Sequence, residues 1–329
     1  MLRYAFVALA VSAVGALAGS WDPQLAANYL DSREKEWFEW KVAARDGGPC
    51  VSCHTNMTYL MARPALRKRL KQEKPTEYET GLKNALKARV NIIEPPADTK
   101  NIDFARQGIA TEAILAALFL QDEASWDRLW KLQALDGDAK GSWQWFSLKL
   151  DPWEMDHSRF YGAALAAIAL DLMPKSYRER EDVKPHAAQL NAYLDSNQNG
   201  QPLHNRAMLL WTKSAKRDAI LKEIWHAQQP DGGWTMDALG PWSAHEGAPA
   251  SKGSNAYATS LLAVSAQKAG VRSNDERLKK ALEWLRANQD RTTGVWTAQS
   301  MNKVYKPETM MAKFMQDAAT AYAAMALSE

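Results

Sequence analysis

Cys50 and Cys53 are the only two cysteines of the 329-residue chain, and His54 follows them directly. Two thiols three positions apart can each add to one vinyl group of a porphyrin, while the adjacent imidazole is placed to bind the iron from one side. The C-x-x-C-H spacing therefore predicts one covalent c-type haem (haem c), carried by Cys50 and Cys53 with His54 as proximal iron ligand. Other chemistries use C-x-x-C as well: half of a zinc site, a thioredoxin-like pair, a short disulfide. Zinc needs four ligands and no further cysteine exists. A thioredoxin motif needs a strand and a βαβ setting, whereas Trp37 to Arg45 reads as helix. A disulfide gives His54 no role.

The start of the chain points the same way. Arg3 precedes a small, apolar run from Ala5 to Ala18 that closes as Ala16-Leu17-Ala18 before Gly19. A short positive region, an apolar core and an A-x-A-like site read as a secretory signal peptide over residues 1–18, too short for a comfortable membrane span. Export to the periplasm and no stable span after cleavage are the expectations. The formal charge of +3 falls to +2 when Arg3 leaves. That balance argues against nucleic acid, which demands concentrated positive charge. One local cluster, Arg63, Arg67, Lys68, Arg69 and Lys71, reads either as a solvated helix face or as a docking patch for an acidic redox partner protein.

No stretch alternates polar and apolar residues long enough for a convincing strand, while helical periodicity recurs, so the chain reads as all-α. Four apolar segments open alike, at Ala110-Thr111-Glu112-Ala113, Tyr161-Gly162-Ala163-Ala164, Ala258-Thr259-Ser260-Leu261 and Ala319-Thr320-Ala321-Tyr322, with a fainter fifth at Asn205-Arg206-Ala207-Met208. Aligned on Thr111, Gly162, Arg206, Thr259 and Thr320, they are 51, 44, 53 and 61 residues apart. Such periods mean stacked helical hairpins. More amphipathic segments lie between them, at 125–135, 184–197, 216–229 and 275–289. Adding outer 22–45, inner 57–71 and outer 76–90 gives about six inner and six outer helices. A single α/α-toroid domain over 19–329 follows, with a haem-attachment loop at 46–56.

Several outer helices end in glutamine, then glycine, then tryptophan: Gln229 to Trp234, Gln289 with Gly294 and Trp296, and Gln133 with Gly141 and Trp143. Here the chain resembles the terpene cyclase and prenyltransferase superfamily, whose toroid repeats carry such QW motifs. Over about 22–329 it looks most like exported bacterial proteins with a C-V-S-C-H-T loop inside a squalene-cyclase-like toroid. The matching residues are Cys50 to Thr55, Ala62 to Leu66, Asp151 to Glu154 and Met315 to Leu327. That resemblance implies fold and haem but no substrate. The D-x-D-D acid motif of squalene-hopene cyclases is missing, as is the D-D-x-x-D magnesium cluster. Both cysteines are already committed, so a prenyltransferase zinc site is not expected either.

A six-coordinate iron needs a second axial ligand. Met57 and Met61 follow His54 on the same helix face and stay proximal. In a closed ring the haem loop neighbours the loops into the second and sixth inner helices. The former, 91–107, holds neither His nor Met; the latter brings Met301, Met310, Met311 and Met315. Met315 is the leading distal candidate, Met310 and Met311 next, and core filling is the alternative for all of them. His157 and His245 lie in other loops of that face and would ligate only across the central cavity. Electron transfer through the haem is the expected activity, with methionine–histidine ligation raising the potential. The rivals are a haem-based redox enzyme or sensor with an open iron position, and an isoprenoid- or lipid-binding toroid whose cavity takes an apolar small molecule. Trp153, Trp234, Trp242 and Trp296 are candidates for that cavity's mouth, or for packing between hairpins.

Overall fold

The computed structural model describes residues 20–214 and 216–329; the expected signal segment 1–18 lies outside the described residues. The described chain is mostly helical, as its periodicity predicts. Thirteen α-helices occur, and the strands among the described residues are one two-residue pair, β1 (Ala44–Arg45) and β2 (Gly48–Pro49). Trp37 to Arg45 is not one helix: α1 (Pro23–Glu39) ends early and the chain turns through a 3-10 segment into the hairpin. Gly47, at φ +78°, lies against Ala88, where an added Cβ would come within 2.5 Å of that side chain. The tight turn thus needs glycine for both conformation and space.

Several helices start where the sequence offers a cap: α1, α3, α4, α5, α11 and α12 each have a side chain accepting from a first-turn amide. Asp22 accepts from the Gln24 and Leu25 amides ahead of Pro23, and Thr76 with Glu79 forms a complete capping box for α3 (Glu77–Ala88). Such caps satisfy amides that the helix leaves unpaired. Small-residue helices form the interior: α2 (Asn56–Arg69), α4 (Ile102–Phe119), α6 (Ser158–Leu172), α11 (Ala256–Lys268) and α13 (Met310–Ser328). The faint fifth repeat is correspondingly weak, a short α9 (Leu203–Ala207) running into a 3-10 turn, Met208–Trp211. The amphipathic α5 (Glu123–Lys131), α8 (Lys184–Asn197), α10 (Arg217–His226) and α12 (Glu276–Ala287), with the single turn α7 (Lys175–Arg178), lie outside them. In the interior, α4 packs on α6, α6 on α9, the turn after α9 on α11, α11 on α13, and α13 on α2.

The glutamine–glycine–tryptophan turns have one repeated geometry. The indoles of Trp143, Trp234 and Trp296 are buried, and each donates to a carbonyl at the end of its own outer helix, that of Leu129, Ile224 and Leu285, at 2.7 Å. The glutamine four residues after that carbonyl donates to the turn glycine and to the next outer helix. Gln133 reaches Gly141 and His186, Gln228 reaches Gly232 and Arg277, and Gln289 reaches Gly294 and Asp22. The repeat residue in the middle copy is Gln228; Gln229 instead bonds Ala227. The glycines have positive φ, and a Cβ on Gly294 would stand 2.4 Å from the Leu25 backbone of α1. The last turn therefore packs onto the first helix. Burying one such indole is worth about 4–6 kcal/mol at about 25 cal/mol per Å².

Candidate functional site

Cys50, Val51, Ser52, Cys53 and His54 run from the hairpin into α2, and every part of this turn is tied down. The Cys50 amide donates to Ala43 at 2.7 Å, and its carbonyl accepts from the Trp37 indole at 2.8 Å. Asn56 accepts from the Ser52 amide and donates to buried Glu34, while Ser52 caps the Thr55 and Asn56 amides. Arg89 at the end of α3 is the main clamp. It donates to the carbonyls of Asp46, Gly48 and Pro49 and forms a two-pronged pair with Glu112 of α4. Glu112 also accepts from the Val51 amide. Fork-on-carboxylate pairing fixes direction as well as distance, so α3 and α4 together set the loop's position.

Both thiols are free, Cys53 buried and Cys50 half-buried, and burial pushes each thiol upward in pKa. Burial thus disfavours the thiolate at both positions. His54 is 7% exposed, and burial pulls its imidazole down to about 3. Neutral imidazole is the form that ligates iron. Phe314 of α13 stacks on its ring at 3.8 Å between centroids, and Trp37 and Trp153 flank it at 5.8 and 5.7 Å. Nδ1 accepts from the Thr55 amide at 2.9 Å and lies 3.2 Å from the Thr55 hydroxyl. That hydroxyl donates to Asp317, which pairs with buried Arg33.

Cys50, Cys53 and His54 line one cleft of about 340 Å³ between the motif loop and the first turns of α4. Ile92, Pro95, Phe104, Phe146 and Leu148 make its walls apolar, and Arg45 and Arg89 lie on its border. Arg45 has no carboxylate partner among the described residues. These residues fit a thioether-linked porphyrin: two thiols and one imidazole on a common wall, an apolar enclosure, and the exposed guanidinium of Arg45 for a propionate, Arg89 being taken up by Glu112 and the loop carbonyls. Among the described residues no cluster of three or more His, Cys, Asp or Glu could hold a metal ion, and no βαβ unit surrounds the cysteines.

The remaining candidates lie elsewhere. Met310, Met311 and Met315 belong to α13 itself rather than to the loop before it, because no helix breaker separates them from the apolar run. Met315 is buried in the core, and Met310 sulfur lies 3.6 Å from Arg33. None of these methionines, nor Met301, lines the cleft. His157 and His245 do come together, on the buried carboxylate of Asp151. His245 Nε2 is 2.9 Å from one oxygen, and His157 Nε2 is 3.8 Å from the other. Asp151 also accepts from the Ser243 amide and, through its backbone, pairs with Asn302, joining three loops. Neither histidine lines the cleft.

Sequence reasoning passed over Glu154. It lines the cleft, its carboxylate has no hydrogen-bond partner among the described residues, and burial pushes it up to about 7. The available signal was Asp151-Pro152-Trp153-Glu154, a charged and aromatic loop placed between two helical hairpins. Among the four tryptophans considered for a cavity mouth, Trp234 and Trp296 are consumed by the packing turns, whereas Trp153 touches His54. No helix of the described residues is long and apolar enough to cross a membrane. No protein-family model matches the chain, and no curated protein matches it.

Proposed function

We propose that the chain is an exported, periplasmic α/α-toroid protein that carries one covalent c-type haem and passes electrons to a partner protein. The observation that supports this best is the convergence of Cys50, Cys53 and His54 on one apolar cleft. The toroid reading rests on the neighbour order of the interior helices and on the three equivalent turns, the last of which abuts α1. When bound, the haem supplies a one-electron iron couple. The chain's own residues do the rest. Cys50 and Cys53 tether, and His54 Nε2 ligates. Ligation through Nε2 would require the proton on Nδ1, so the Thr55 amide bond that Nδ1 now accepts would have to give way to donation toward the Thr55 hydroxyl, 3.2 Å away and backed by Asp317 and Arg33. Arg45 offers a cation at the rim, and the exposed Lys68, Arg69 and Lys71 offer a surface for an acidic partner.

A second reading, a haem enzyme or small-ligand sensor, is favoured by one feature. Apart from His54, the cleft is lined by neither His nor Met, and it presents the unpartnered carboxyl of Glu154. Intact mass and absorption spectra of the protein secreted with haem-attachment machinery test both readings. A haem-sized mass increment with a thioether-type reduced spectrum supports the first. A colourless chain of bare polypeptide mass overturns both. Carbon monoxide binding to the reduced protein without denaturant selects the second.

A further inference from the structure

Tyr257, near the start of α11, is fully buried, and its hydroxyl lies 2.8 Å from Nε2 of His204 on α9. Asn205 fixes which way that bond runs. Its side-chain nitrogen donates to Gln201 and to the His157 carbonyl, which turns its oxygen toward His204 Nδ1 at 2.9 Å. Nδ1 therefore carries the imidazole proton, Nε2 holds a lone pair, and the phenol donates to it. Burial pulls the imidazole down to about 4, which keeps it a neutral acceptor. It also pushes the phenol well above its ordinary value, so Tyr257 does not simply ionise.

The pair stands in the middle of a row of oxidisable rings. Trp153 is 5.7 Å from His54 on one side and 5.5 Å from Tyr257 on the other. Beyond Tyr257 come Tyr322 at 6.1 Å and then Trp211 at 6.5 Å. Trp211 is half-buried at the other end of the interior helices, where its indole donates to Ser265 and Lys268 sits over its ring. The hydroxyl of Tyr322, like that of Tyr161, is buried with no acceptor among the described residues. Of the tyrosines in this row, Tyr257 is the one whose hydroxyl meets a base.

We propose that Tyr257 is a redox-active tyrosine with His204 as its proton acceptor, joined by Trp153 to the cysteine cleft and by Tyr322 and Trp211 to the far end of the helices. The co-reactant is a one-electron oxidant stronger than the phenoxyl/phenol couple. It takes one electron and leaves reduced by one. The Tyr257 O–H bond breaks, the proton moves to His204 Nε2, and neutral phenoxyl faces imidazolium. One electron and the same proton restore the pair. The inference goes beyond the haem reading and needs no bound group.

Flash-quench oxidation of the whole protein with photogenerated tris(bipyridine)ruthenium(III), read by freeze-trapped electron paramagnetic resonance and transient absorption, tests it. The wild-type protein is expected to give a neutral tyrosyl signal whose formation slows at least twofold in D₂O. Y257F should remove the tyrosyl signal that responds to His204, H204L should slow its formation at least tenfold, and W211F should lower its yield. Only tryptophan radicals in the wild-type protein would overturn the proposal without any variant. So would an unchanged tyrosyl signal in Y257F of native circular dichroism. A colourless protein that still forms the Tyr257 radical separates this outcome from failure of the haem reading.

Discussion

The three tryptophan turns and the cysteine cleft are built from similar materials, glycine-bearing loops with buried aromatics, yet they treat polar groups in opposite ways. In the turns every indole and amide has a partner, and the same bonds recur at Leu129, Ile224 and Leu285. In the cleft two thiols are free and a carboxyl has no partner. Leaving buried polar groups unmatched is costly, and folds accept it mainly where the groups serve something else. The three turns are fully paired, whereas the cleft gathers free thiols and an unpaired carboxyl on one surface, although single unpaired groups such as the Trp126 and Trp130 indoles also occur in the outer helices.

Substitutions should split along that line. The largest effect belongs to the framework: Trp296→Ala removes a fully buried ring and its bond to Leu285, and should cost about 3–5 kcal/mol in urea unfolding. Gly294→Ala should cost about 2 kcal/mol, because φ is +78° and the new Cβ meets the Leu25 backbone. Neither change should alter thiol content. The comparison breaks if Cys50→Ser with Cys53→Ser destabilises as much as Trp296→Ala.

Glu154→Gln should act in the opposite direction, as a stabilising change inside the site. Burial raises the Glu154 carboxyl to about 7 in the folded chain. The folded state thus holds its proton more tightly than the unfolded one. That advantage is full below the unfolded value, near 4.5, and is lost as pH rises through about 7. Above that, folding must bury an ionised carboxylate. Glutamine should therefore add about 1–3 kcal/mol at pH 8 and little at pH 4, read from thermal unfolding across pH. A flat difference across that range would remove Glu154 from the list of unmatched site groups. The smallest effect lies outside both regions. Lys68→Glu with Arg69→Glu should change stability by no more than about 0.5 kcal/mol, because both are exposed. On the proposed function it should slow electron delivery to an acidic partner at low salt.

The cleft's first wall was legible because it is local: five consecutive residues carry both thiols and the imidazole. Its other walls come from residues 92–112 and 146–154, and no spacing rule connects those segments to position 50. The helical class was legible for the same reason, since periodicity needs only neighbours in sequence. Gln228 was misread as Gln229 because both lie just past α10, and only the direction of the next outer helix distinguishes them. Trp37 to Arg45 looked helical on composition, but Gly47 and Gly48 fold that stretch back on itself. Met310, Met311 and Met315 read as loop when the repeat is aligned on Thr320, whereas α13 begins at Met310, nearly two turns before Gln316.

Phe314 lies flat on the His54 ring, and Asp317 takes the hydroxyl beside it, so the final helix shuts a door on residues placed some 260 positions earlier. Contacts of such long sequence separation carry a larger loop-closure cost than local ones. On the proposed function, a chain exported from its amino end would present Cys50 and Cys53 before α13 emerges. An enzyme attaching haem to those thiols would have that interval in which to work, and α13 would then close over His54 while leaving the cleft beside the thiols unlined by any of its residues.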